Sequence, residues 1–266
     1  MLPVYKAVSF RNILEKGART KPWLVFAKTE TGLKPYVVKV FDTQLIEFRD
    51  SVTNEVLGNI LAKEFDLPVA KAALIDFSGD FIDTIPDFNL IDILALKDDR
   101  LKFGTELLDG YIQFNREILT SAEAKKIIDI DTVFAFDNLI RNRDRGNSKN
   151  LLVNGYDAYL IDHELGFEAI PNAVSELMNW RWDTRFCQNH IFYPYLKHSF
   201  QKHKEEYFTV FEEYLRSLNV NILDSYFRQL VASGFSDKNH DSIREYLAQM
   251  KLNSSNFTLV LRSIIF

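Results

Sequence analysis

Cysteine is nearly missing from this 266-residue chain: Cys187 stands alone, so no internal disulfide can form, and a reducing cytoplasm is the expected setting. Glycine and proline are scarce, at 10 and 7, which argues against long disordered linkers. No Gly-x-Gly-x-x-Gly, Gly-x-Ser-x-Gly or His-Glu-x-x-His occurs, and His163, His190, His198, His203 and His240 show no metal-ligand spacing, so hydrolase readings lack support. No run approaches the ~20 apolar residues of a membrane span. Even the apolar C-terminus is interrupted by Arg262, and MLPVYKAVSF at the start reads unlike a signal peptide, so no membrane partner is expected. A net charge of −5 argues against nucleic acid as a direct partner. What the chain does hold is apolar bulk: 47% apolar residues, with 22 Phe and 11 Tyr, is enough for one large domain or two lobes.

The richest stretch runs from Asp137 to Gly166 and reads DNLIRNRDRGNSKNLLVNGYDAYLIDHELG. Asp144 is followed six positions later by Asn150, then by apolar Leu151-Leu152-Val153, a turn at Asn154-Gly155, apolar Tyr159-Leu160-Ile161, and Asp162. Two short strands around an Asn-Gly turn make a hairpin, which folds Asn150 and Asp162 to the same end. A base-like acid, plus an amide and an acid able to share a hard cation, is the apparatus of phosphoryl transfer. Arg145, beside the base, steadies either the loop or the transferring phosphoryl group. Asp137, seven residues before Asp144, reads as an acid supporting the site, or as one that caps a helix or pairs with an arginine.

These residues resemble the catalytic segment of the HipA-like kinases, atypical protein kinases distantly related to the phosphoinositide kinases. The likeness lies in Asn142-Arg143-Asp144-Arg145, Asn147, Asn150-Leu151-Leu152 and Leu160-Ile161-Asp162-His163. It implies that Asp144 is the catalytic base and that Asn150 and Asp162 ligate Mg²⁺ on ATP. One position departs from the family pattern, in which Gly follows Asp-His: here it is Glu164, a carboxylate that joins the site, repels the nucleotide or points away.

Upstream, Tyr5–Leu14, Trp23–Ala27 and Tyr36–Phe41 read as strands. Alternation puts Lys39 on one face with Val37 and Phe41, where its charge needs a compensating group. In kinases that group is a pair of nucleotide phosphates and a Glu of the next helix. The other reading is an edge-strand lysine facing water. An amphipathic helix is expected from near Asp50 to Phe65, with Glu55 in its first turn, where the helix dipole also favours an acid. Glu55 and the following Leu67-Pro68-Val69 resemble the family's Asn-Glu helix and its Leu-Pro-Val, which makes Glu55 the implied ion-pair partner of Lys39. Gly17, Arg19, Thr20 and Lys21 lie in the turn after the first strand and are candidates to cover the phosphates; a lone Gly there is equally a plain turn.

Ser78-Gly79-Asp80 marks a composition break, and residues 81–120 read as irregular, their acids as a solvated surface. Thr120-x-x-Glu123 is a capping box opening a helix. Helices are expected over Lys204–Leu218, Ile222–Val231, Asp241–Leu252 and Ser254–Ile265, the aromatic stripe of the first packing as core. The expectation is an α+β, two-lobe protein-kinase-like fold: a small antiparallel-sheet N-lobe over residues 1–78, and a mainly helical C-lobe over 79–266 that carries the catalytic loop and hairpin. The expected function is transfer of the ATP γ-phosphate to a Ser/Thr hydroxyl of a protein. Alternatives are a catalytically silent nucleotide-binding module, a phosphotransferase acting on a small-molecule hydroxyl, and a pseudokinase that transfers AMP. The resemblance also leaves open an antitoxin-like protein partner.

Overall fold

The computed structural model describes residues 1–14, 21–115, 119–168, 170–199 and 201–266. They divide into two compact units: Met1–Val56 with Ala70–Asp109 and Ser225–Asp237, and Leu57–Val69 with Gly110–Asp224 and Lys238–Phe266. The boundary read at residue 78 falls inside the first unit.

In the first unit, strands β1 (Val4–Ile13), β2 (Trp23–Thr29), β3 (Gly32–Val38), β4 (Ala72–Asp76) and β5 (Lys102–Glu106) close into a barrel in the order β1-β2-β3-β5-β4. The expected antiparallel sheet needs correcting on two points. β1 and β4 run parallel, with Val4 opposite Leu74, and β5 comes from a stretch read as irregular. Closure removes the free edges that an open sheet of these strands would expose. Alternation along β2 sends Trp23, Val25 and Ala27 inward, where they meet Ala7, Tyr36, Val38, Ala73 and Ile75. Gly104 in β5 makes the packing tight: a Cβ there would stand 2.8 Å from Cγ1 of Ile75.

The single helix expected from Asp50 is two helices, α1 (Thr43–Arg49) and α2 (Ser51–Glu64), broken at Asp50, whose φ of 52° ends the first turn sequence. α2 is not amphipathic in use. Every residue from Ser51 to Ala62 is buried, Glu55 and Asn59 included, so its polar groups must be satisfied by protein rather than water. Its residues through Val56 belong to the first unit and those from Leu57 to the second. Ser78-Gly79-Asp80 opens a 3₁₀ turn, Gly79–Thr84, and α3 (Phe88–Ala95) follows with Asp87 as its N-cap. Asp98, read as part of a solvated acidic run, is 7% exposed and ion-paired to Arg100 at 2.7 Å.

The second unit holds a three-stranded antiparallel sheet, β6 (Ile112–Gln113), β7 (Leu151–Val153) and β8 (Ala158–Leu160), and the remaining helices. The β7–β8 hairpin turns through four residues rather than an Asn-Gly pair. Asn154 Oδ1 accepts from the backbone N–H of Tyr156 and Asp157, and Gly155 takes φ 91°. α4 (Ser121–Ile127) starts at the capping box of Thr120 and Glu123, and α5 (Ile130–Leu139) is buried from Thr132 to Leu139. α6 (Ile170–Met178), α7 (Thr184–Asn189), α8 (Tyr193–Lys197), α9 (Gln201–Lys204), α10 (Thr209–Ser217), α11 (Ile222–Ala232), α12 (His240–Leu252) and α13 (Ser254–Ile265) complete the chain, α11 passing into the first unit at Ser225. The helix expected over Lys204–Leu218 is interrupted by Phe208 at φ 69°. Its aromatic stripe does pack as core: Phe211 stacks on Phe65 at 5.0 Å and meets Phe257 at 5.9 Å, while Phe208 stacks on Phe134 at 5.9 Å. Each such ring stabilises the fold by roughly 1.5–3 kcal/mol.

Candidate active site

Two groups of polar residues stand out, one in each unit. In the first unit, β3 ends at Val38, so Lys39 lies just past the strand rather than within it, and its backbone N–H reaches the Phe103 carbonyl at 3.0 Å. The Lys39 ammonium forms an ion pair and hydrogen bond with Glu55 of α2, which is 1% exposed. The lysine therefore does not face water as an edge residue. Gly17, Arg19 and Thr20 lie outside the described residues, and Lys21 is exposed.

In the second unit, α5 leads into the loop that bears Asp144. Tyr246 of α12 donates its hydroxyl to the Leu139 carbonyl at 2.5 Å, capping the C-terminal end of α5, and Arg141 then turns the chain with φ 53°. The Asn142 backbone N–H donates to the Asp137 carbonyl at 2.8 Å, and the Asp144 N–H to Asn142 Oδ1 at 3.2 Å. Asp144 itself is half-buried. Its Oδ2 accepts from Asn150 Nδ2 at 2.7 Å. Because a carboxylate accepts only, this contact assigns the amide nitrogen of Asn150 to Asp144 and leaves the amide oxygen as a hard ligand atom.

The hairpin carries the third residue. The Ile161 N–H donates to the Asn150 carbonyl at 3.2 Å, so Asp162 follows the residue that pairs with Asn150. Asp162 has φ 66°, a conformation costly for a residue with a side chain and one that gathers at functional sites. The carboxylates of Asp162 and Glu164 offer oxygens within 4.8 Å of one another. Glu164 thus does not point away. Carboxylate oxygens so placed suit a hard divalent cation such as Mg²⁺ and softer, thiolate-seeking metals poorly, and the amide oxygen of Asn150 is a donor of the same hard kind.

Of the two roles read for Arg145, its full burial fits the steadying of the loop, which it braces from behind. Its Nε donates to Asp137 Oδ2 at 2.8 Å, Nη1 donates to the carbonyls of Asn150 and of Ile161, the latter at 3.0 Å, and Nη2 meets His163 Nε2 at 3.3 Å. Arginine has no lone pair to offer, so His163 accepts through Nε2 and carries its proton on Nδ1. Asp137, buried at the centre, also accepts from Asn142 Nδ2 at 3.0 Å and contacts His190 Nε2 at 3.1 Å. Burial alone would raise its carboxyl; the Arg145 charge and the hydrogen bonds outweigh this and hold it at about 2.

Sequence reasoning pointed to Asp137 but gave no sign of His190, which lies 53 residues further on and in no ligand motif. Cys187, on the same stretch, is buried, donates to Asn138 Oδ1 at 2.9 Å, and has its thiol pushed up by burial, so it is no nucleophile.

A family model described as HipA-like kinase matches residues 10–226. Comparison with curated proteins found no match. Among solved structures the chain is similar to the Helicobacter pylori proinflammatory kinase CtkA, at 13% identity over 97% of this chain and 96% of that one, with a TM-score of 0.48.

Proposed function

The chain belongs to the HipA-like kinase family, and we propose that it is a two-lobe kinase transferring the γ-phosphate of Mg·ATP to a Ser/Thr hydroxyl of a protein. The contact between Asp144 and Asn150 carries this reading. A half-buried carboxylate 2.7 Å from the amide nitrogen of Asn150 supports Asp144 as the group that orients an attacking hydroxyl and Asn150 as an oxygen donor to a cation.

In this mechanism Asp144 accepts the hydrogen bond of the substrate hydroxyl and takes its proton as the phosphoryl group moves. Asn150 and Asp162 are the residues that would hold Mg²⁺, with Glu164 as a third oxygen donor. The ion, when bound, supplies charge neutralisation at the phosphate oxygens. Lys39, oriented by Glu55, binds phosphate oxygens through its ammonium. Arg145 acts at one remove, as a positioning residue. A cytoplasmic location accompanies the reading. Among the described residues no helix is long and apolar enough to cross a membrane.

The test is intact-mass analysis after incubation with Mg·ATP, beside an Asp162→Ala control. A phosphate-sized increment confined to the unmodified protein is expected, together with label transfer to Ser or Thr of a protein in an extract. An AMP-sized increment would move the assignment to nucleotidyl transfer. ATP binding with neither self-labelling nor turnover towards protein or small hydroxyl acceptors would mark a silent module.

A further inference from the structure

Behind the candidate catalytic loop, residues from three separate stretches meet on one buried carboxylate. Asp137 belongs to α5, Arg145 to the loop, and His190 to the turn after α7, and all three are 3% exposed or less. His190 Nδ1 accepts from the backbone N–H of Phe192 at 3.1 Å. A ring nitrogen that accepts an N–H carries no proton, so the proton of His190 sits on Nε2, which therefore donates to Asp137 at 3.1 Å. Asp137 in turn orients the guanidinium of Arg145, and one nitrogen of that guanidinium binds the carbonyls of both Asn150 and Ile161.

The segment bearing His190 is seated directly on the loop. The Ile191 N–H donates to the Arg145 carbonyl at 3.1 Å. Gly146 makes this approach feasible, since a Cβ there would lie 2.7 Å from the Asn189 carbonyl oxygen. The ring of His190 is wedged edge-on to Phe134 at 5.0 Å, which fixes its plane.

We propose that His190 is a positioning residue: as an Nε2–H donor to Asp137 it holds Arg145 in the orientation that sets the spacing of Asn150 and Ile161, and hence of the two ligand residues Asn150 and Asp162. The positioning of the loop stands on the geometry above; its consequence for phosphoryl transfer rests on the reading of the protein as a kinase. A sequence position 45 residues beyond Arg145 thereby controls the width of the site it never touches.

The experiment is amide exchange by NMR on the full chain, comparing the unmodified protein with His190→Phe, which keeps the ring but removes the donor, and His190→Gln, which restores one. Exchange at the Ile161 N–H is expected to speed about tenfold in His190→Phe relative to amides of α12, and to return towards the original rate in His190→Gln. Unchanged exchange at Ile161, or equal acceleration throughout α12, would overturn the proposal, the second because it marks a merely structural residue. Should His190→Phe fail to fold, the ¹⁵N shifts of the unmodified protein decide: a His190 with its proton on Nε2 supports the relay, and one on Nδ1 sinks it. None of these readouts needs turnover, so a protein that never hydrolyses or transfers phosphate would defeat the kinase reading alone. Where turnover is measured, His190→Phe should lower kcat about tenfold with little change in the KM for ATP.

Discussion

The side-chain amide of Asn150 donates to the carboxylate of Asp144 at 2.7 Å, tying the base of the proposed reaction to one of its metal ligands. The two therefore cannot be varied independently. Asp144→Ala should lower phosphoryl transfer by about 10²–10⁴-fold. It should also weaken metal binding, because Asn150 loses the acceptor that orients its amide. Rates measured across a Mg²⁺ titration check both effects; a variant with undiminished transfer at saturating Mg²⁺ would remove Asp144 from the chemistry.

Lys39 and Glu55 form a second dependent pair. Replacing Lys39 by Met leaves a carboxylate that is 1% exposed short of its cationic partner, a change that costs about 3–5 kcal/mol when an ion pair is fully buried and less here, because Lys39 keeps some contact with water. Lys39→Met/Glu55→Leu should recover most of that stability in urea unfolding while ATP turnover stays lost. Full stability in the single variant would show that Glu55 does not depend on the lysine.

Gly58 reverses an ordinary rule. Alanine is worth roughly 0.5–1 kcal/mol over glycine inside a helix, so Gly58→Ala should stabilise α2 on propensity alone. Yet a Cβ at 58 would stand 2.4 Å from Cβ of His163. Gly58→Ala is expected to lower the melting temperature and to displace His163, and with it the neighbouring Asp162. A rise in melting temperature would contradict the packing described.

Asp131 sets a pH dependence. Burial, then its hydrogen bond with Asp129, pushes its carboxyl up to about 7, while Oδ2 accepts from the Phe208 N–H at 2.8 Å. A carboxyl raised in the folded state contributes stability that is fully present below its unfolded value of about 4 and is lost as pH rises through 7. Asn in its place supplies the amide N–H permanently and still accepts from Phe208. Asp131→Asn should therefore raise the melting temperature by about 2–4 °C at pH 8 and do little at pH 4. Equal shifts at both pH values would show that Asp131 does not titrate in this window.

The opposite sign applies to Asp137. Its carboxyl, held at about 2, contributes stability present above about pH 4 and lost as pH falls towards 2. Asp137→Asn should flatten acid unfolding over that interval, at the cost of lower stability near neutrality, where the buried Arg145 charge is left without its counter-ion.

Local features were legible in the residues themselves. The three N-terminal strands, the Thr120 and Glu123 capping box, and the hairpin from Asn150 to Asp162 each depend on neighbours within a few positions, whose periodicity and turn chemistry act before any tertiary contact forms. The meeting of Asn150 and Asp162 at one end of the hairpin was likewise readable, because their spacing is a property of that hairpin. The tertiary structure decided what depended on distant partners. Residues 102–106 became a strand only because β3 and β4 offered unpaired backbone groups; β1 paired parallel with β4; and α2, amphipathic by pattern, was buried on every side through Ala62. The same is true of Arg145 and His190. A guanidinium and an imidazole carry no mark of whether they face a phosphate, a metal or a buried carboxylate, and here Arg145 is turned inward at zero exposure, where Asp137 compensates its charge.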